Sequence, residues 1–179
     1  MPAKSNSIRY GSVAVAIHWL TAVMILMLLI TGLLAAGQAD QAAKLALLRA
    51  HIPIGVAVLL LTLLRIIWWL VADPRRPALP PDQPAWQRLV AKAVHPALYL
   101  IVLVSGASGI AILVHAGALP AILGSAALPD LSAEPAYTVH YLASRLMLGL
   151  LVLHVGAALY HQFIRRDHLL ARMGLGPAA

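Results

Sequence analysis

Residues 137–164 read Y-T-V-H-Y-L-A-S-R-L-M-L-G-L-L-V-L-H-V-G-A-A-L-Y-H-Q-F-I, and this stretch decides the fold. It is apolar apart from Arg145 and a few neutral polar side chains, and it exceeds the ~20 residues that cross a hydrocarbon core. As a helix it carries His140 and His154 fourteen residues apart. That interval is a rise of ~21 Å and falls about 40° short of four full turns. Both imidazoles therefore leave one broad face, near opposite ends of the span.

Three more apolar stretches lie upstream, and the spans are placed at residues 12–36, 45–72, 91–115 and 137–164. Residues 13–36 run without a formal charge, too far for the apolar core of a signal peptide. The chain is 61% hydrophobic and 11% charged, about half the charge expected of a soluble domain, so lipid is its solvent. The expected fold is an all-α membrane protein, an antiparallel four-helix transmembrane bundle. Residues 1–179 are expected to form a single membrane domain. The connections are short or rich in proline: residues 73–84 hold five prolines with Arg75 and Arg76. Residues 116–135 contain no Lys or Arg, and their apolar part, 119–128, is expected to lie on the membrane surface.

The net charge of +7 is concentrated at segment ends, with no aromatic–basic alternation of the kind that binds nucleic acid. With both termini on one side, that side holds Lys4, Arg9, Arg75, Arg76, Arg88, Lys92, Arg165, Arg166 and Arg172, against Lys44 and Arg49 opposite. Excess basic charge marks the cytoplasm, so both termini are expected there. Trp19, Trp68, Trp69 and Trp86 fall near the same ends, where interfacial anchors belong.

No cysteine is present, which excludes disulfides, iron–sulfur clusters and thiolate zinc sites, whereas histidine occurs eight times. His18 matches the depth of His154, and His51 that of His140. A lone histidine in a span is more often an interfacial or packing residue. Four matched in depth, two on one face, point instead to two stacked bis-histidine sites, each suited to a haem between helices. Gly55, Gly149 and Gly156 lie close to these histidines and leave room for a macrocycle or simply for close helix packing.

The ordered motifs resemble the bacterial cytochrome b561 family. Ile17-His18-Trp19-Leu20 is similar to its first-helix signature, and His51-Ile52-Pro53-Ile54-Gly55 with Arg65 and Trp68 to its second helix. His95-Pro96-Ala97-Leu98-Tyr99-Leu100 with Ser105-Gly106 resembles the third. His140, His154, Leu159-Tyr160-His161, Asp167 and Leu169-Leu170-Ala171-Arg172-Met173 resemble the last helix and tail. Arg145 departs from the pattern, which calls for a smaller or uncharged residue.

The resemblance implies two haem b per chain, with axial iron ligands His18 with His154 and His51 with His140. It implies a bacterial inner-membrane, multi-pass cytochrome transferring electrons, with ubiquinone as acceptor. The short four-helix members are similar to the superoxide oxidase type, so the implied donor is superoxide or another reductant. No catalytic residue is assigned.

Other roles stay open. Lys44, Arg49 and Arg145 lie at the outer depth, to neutralise propionates and draw in a small anion, or to snorkel. His95 and His161 suit a quinone, an inner propionate or the interface; Arg65 suits an inner propionate or a headgroup. Two rival readings remain. One is a cytochrome b anchor subunit for a partner dehydrogenase or hydrogenase. The other is a haem-free transporter whose histidines bind zinc or relay protons, against which all six acids lie outside the spans.

Overall fold

In a computed structural model, residues 2–78, 83–124 and 126–176 are described, and these form helices and connections without a strand. Pro80 and Pro81 of the proline-rich connection, Ser125 of the third, Met1 and residues 177–179 lie outside the described residues. Four helices are long and apolar enough to cross a membrane: α1 (Ser12–Gly37), α2 (Gln41–Val71), α3 (Ala85–His115) and α5 (Pro135–Leu159), the last continued by a π-helix over Tyr160–Arg165. A short helix, α4 (Leu119–Ile122), sits in the third connection.

The boundaries differ from the hydropathy pattern where capping decides them. α2 starts at Gln41 rather than 45 because Asp40 accepts a hydrogen bond from Ala43 N at 2.7 Å. α3 starts at Ala85 rather than 91, directly after Pro84, and carries a polar first turn. α5 starts with Pro135 in its first turn, where proline loses no helical bond. Pro53 and Pro96 lie inside α2 and α3, so the carbonyls of Arg49 and Lys92 lack their usual helical donor while both helices continue.

α1 packs chiefly on α2, and α3 on α5, with α2 meeting α3 between the two pairs. The buried centre is Val58, Val102 and Met147, from α2, α3 and α5. Met147 lies midway between His140 and His154, so this apolar layer separates the two histidine levels by about 10 Å of helix on either side. Most other large apolar side chains face outward, including Leu60, Leu70, Leu100 and Val152. That is the arrangement lipid demands of a thin bundle.

α4 is half sunk: Ala118 and Ala121 are buried, while Leu119 and Leu123 are exposed. Arg49 ties it to α2, donating from Nε to Ile122 O at 3.0 Å and from Nη2 to Ala121 O at 3.2 Å.

The end of the bundle carrying both termini is stitched together by polar contacts. Asp73, 2% exposed, accepts from Ser5 N at 3.0 Å and from Ser5 Oγ at 2.6 Å. Ser5 Oγ in turn accepts from Gly11 N at 3.0 Å. Gly11 has to be glycine, because a Cβ there would stand 2.3 Å from Ala3 O. Trp19 Nε1 donates to Met173 O at 2.9 Å, so this tryptophan holds the tail as well as an interface position. Arg172 Nη1 donates to Ala78 O.

Replacing Asp73 by Ala strands two buried donors on Ser5. The expected loss is about 1–3 kcal/mol per orphaned group, read as a lower melting temperature in detergent, with Ser5→Ala losing less.

Candidate functional site

Histidines of α1 and α2 face those of α5 at two levels. His18 of α1 and His154 of α5 have ring centroids 6.2 Å apart at an interplanar angle of 65°. His51 of α2 and His140 of α5 are 6.1 Å apart at 73°. Metal–imidazole bonds of about 2 Å on each side, with a ring radius of roughly 1.1 Å, put two rings sharing one metal about 6 Å apart. Both pairs therefore suit a metal held between them by one ring nitrogen each. Among the described residues no three His, Asp or Glu converge as a metal site, which leaves no tetrahedral zinc set.

Hydrogen bonds orient the outer pair. His140 Nδ1 lies 2.9 Å from Ser105 O, and a carbonyl only accepts, so the proton sits on Nδ1 and the Nε2 lone pair is bare. Thr31 Oγ1 donates to Met27 O at 2.7 Å, which leaves its oxygen to accept from His51 Nδ1 at 3.0 Å. Ser108 repeats the device, donating to Val104 O at 2.7 Å and lying 3.2 Å from His140 Nδ1. Both outer imidazoles thus present Nε2 as metal-binding histidines do.

The inner pair is set differently. Arg65 Nη1 is 3.2 Å from His18 Nδ1, and a guanidinium only donates, so here the His18 proton lies on Nε2. The same guanidinium lies 4.8 Å from the Trp69 ring and 5.8 Å from Tyr99, with Arg76 4.4 Å from the same indole. Arg65 Nε is buried with no hydrogen-bond partner among the described residues. Two arginines around one indole, neither in an ion pair among the described residues, make an anion-seeking end to the inner site.

Neither His95 nor His161 belongs to a facing pair across the bundle, yet both are placed by specific contacts. The His95 ring is 5.4 Å from His154 at 87°, and its Nδ1 donates to Ala91 O at 2.7 Å, so it joins the inner cluster as a third ring. His161 is buried in the π-helical turn, where Nδ1 meets Asp167 Oδ2 at 2.5 Å, with Arg165 Nε 3.8 Å from the same oxygen. His115 and His168 are exposed.

A family model described as prokaryotic cytochrome b561 matches residues 9–176. The chain belongs to the prokaryotic cytochrome b561 family. Cytochrome b561 homolog 2 of Escherichia coli (strain K12) is 31% identical over 177 residues, covering 92% of this chain and 90% of its own length. Cytochrome b561 homolog 1 of the same organism is 26% identical over 171 residues, covering 92% of this chain and 96% of its own. Membership in the b561 family makes this a multi-pass membrane b-type cytochrome of electron transfer, and the group implied between its helices is haem b.

The glycines against the rings are not those singled out from the sequence. A Cβ on Gly32 would stand 3.0 Å from His51 Cε1, and one on Gly109 3.3 Å from His140 Cε1. Gly149 and Gly156 have nothing within 4 Å, and Gly55 meets only Leu28 at 3.8 Å. Which glycine faces a ring depends on helix rotation, and sequence distance from a histidine does not report it. Gly32→Leu should displace His51 and reduce haem per protein in the absorption spectrum, whereas Gly149→Leu should leave haem content at the wild-type level.

Proposed function

We propose that this chain is a di-haem b-type cytochrome, in which His18 with His154 and His51 with His140 hold one haem b each. The observation that carries the reading is the pair of facing imidazoles at 6.2 and 6.1 Å, at two levels of one bundle, in a b561-family chain. The protein is read as one membrane domain, an antiparallel bundle in the bacterial inner membrane with both termini cytoplasmic. Contact of His18 with Arg65 and of Thr31 with His51 supports the opposed direction of α1 and α2. The excess of Lys and Arg in the terminal side's loops supports the orientation.

His18, His51, His140 and His154 would hold haem b, which would supply one-electron chemistry between them. The residues of this chain do the rest. Thr31 and Ser105 hold the outer rings in the ligating tautomer. Val58, Val102 and Met147 keep water out of the layer between the sites. Arg65 and Arg76 provide positive charge beside the inner pair.

The direction proposed is from superoxide or another one-electron donor on the outer side to ubiquinone, as the resemblance to short superoxide oxidase-like members implies. No residue is assigned a catalytic role, and a protein partner as donor is separated by the same assays.

The deciding measurement is a reduced-minus-oxidised spectrum with haem quantification on wild type, His140→Ala and His154→Ala. Two b haems in wild type, a different one lost or shifted in each variant, is the expected result, followed by superoxide-dependent quinone reduction. Folded wild type without haem, expressed with ample haem supply, would overturn the reading. Quinone reduction that needs a co-purifying dehydrogenase and ignores superoxide would replace the donor. Thr31→Val removes the acceptor for His51 Nδ1 at nearly constant volume. It should weaken haem retention at that site by about 10–100-fold, measured by transfer to apomyoglobin.

A further inference from the structure

Beside His51 and His140 lies a cavity of about 260 Å³, walled by aliphatic side chains such as Leu28, Val102 and Leu148. Among the described residues its only lysine or arginine lining residues are Lys44 and Arg145. Arg49, which the sequence places at the same depth, is taken up by the α4 carbonyls of Ala121 and Ile122. Asp130 is bonded to Ser132 N and Oγ at 2.9 and 2.6 Å. Neither Lys44 nor Arg145 makes an ion pair among the described residues.

Resting on the haem reading above, we propose that Arg145 and Lys44 are the carboxylate clamp of the outer site. They bind the acidic edge of the group held by His51 and His140 and set its redox potential. Lys44 precedes His51 by seven residues on α2, so it shares that face about 10 Å nearer the helix start. Arg145 follows His140 by five residues on α5. Helical side chains lean toward the N-terminus, so its long arm reaches back toward the His140 level. Its guanidinium lies 4.9 Å over the ring of Tyr141, the residue one turn earlier, and Arg145 lines the same cavity as His140. A cation inside a span calls for a counter-charge, and the chain supplies none among the described residues. A flat apolar ring bearing two carboxylates matches an aliphatic cavity with two cations.

The test is redox titration of the purified, haem-loaded full chain, with both haems followed by absorbance. Arg145→Gln removes a positive charge and favours the oxidised form. It should lower the midpoint of the haem that His140→Ala removes by roughly tenfold in its equilibrium, about 59 mV for one electron, and leave the other haem in place. Lys44→Gln should move the same haem in the same direction, and Arg145→Lys should restore most of the shift. Both midpoints and haem retention unchanged in Arg145→Gln and Lys44→Gln would overturn the proposal, as would a shift confined to the other haem. If Arg145→Gln does not fold, Lys44→Gln and Arg145→Lys decide by the same criterion. Absence of a haem dependent on His140 shows in the wild-type and His140→Ala spectra, and refutes the underlying reading before any titration.

Discussion

An imidazole within lipid is costly unless something satisfies it, and α5 carries two of them on one face at an interval of fourteen residues. The remaining helices are arranged around that face. α1 brings His18 to one level and α2 brings His51 to the other, while α3 packs along α5 and supplies Ser105 and Ser108. Between the levels the same face of α5 turns apolar at Met147, against Val58 and Val102. The result is a layered interior, polar at two depths and dry between them.

The two levels are built from the same pair of residue types but are not equivalent. At the outer level, acceptors fix the proton on Nδ1 of both rings, so the metal-facing nitrogens are bare. At the inner level a donor-only arginine touches His18 Nδ1, so that nitrogen is the acceptor there. Arg65 also stacks on Trp69, which Arg76 shares. The inner end also gathers His95, the buried His161–Asp167 pair and the π-helical turn that carries it. A π-helical turn is an uncommon backbone state that recurs at functional positions.

The ends of the bundle follow ordinary rules of polar satisfaction. Asp73 is a buried carboxylate whose two oxygens are taken by Ser5, and Trp19 closes the C-terminal tail onto α1. These contacts join segments far apart in sequence. At the other end a single arginine, Arg49, fastens α4 over the outer cavity. One charged side chain is thereby withdrawn from ligand chemistry, which leaves Lys44 and Arg145 to carry the positive charge there.

Four spans, their approximate extents and the matching depths of four histidines were legible in the sequence, because hydropathy and a fixed rise per residue act locally. Family membership was legible too, since His18, His51, His140 and His154 stand in order within recognisable motifs. The true starts of α2 and α3 were not, because polar first turns and the Asp40 cap lie outside the apolar pattern. Nor could the sequence tell that Gly32 and Gly109, rather than Gly149, abut the rings. The same holds for Arg49 serving α4 and Thr31 and Ser105 setting the tautomers. Those facts depend on how each helix is rotated about its axis and which neighbour it meets. Rotation is decided by packing between helices, a long-range balance that no single segment carries in its own sequence.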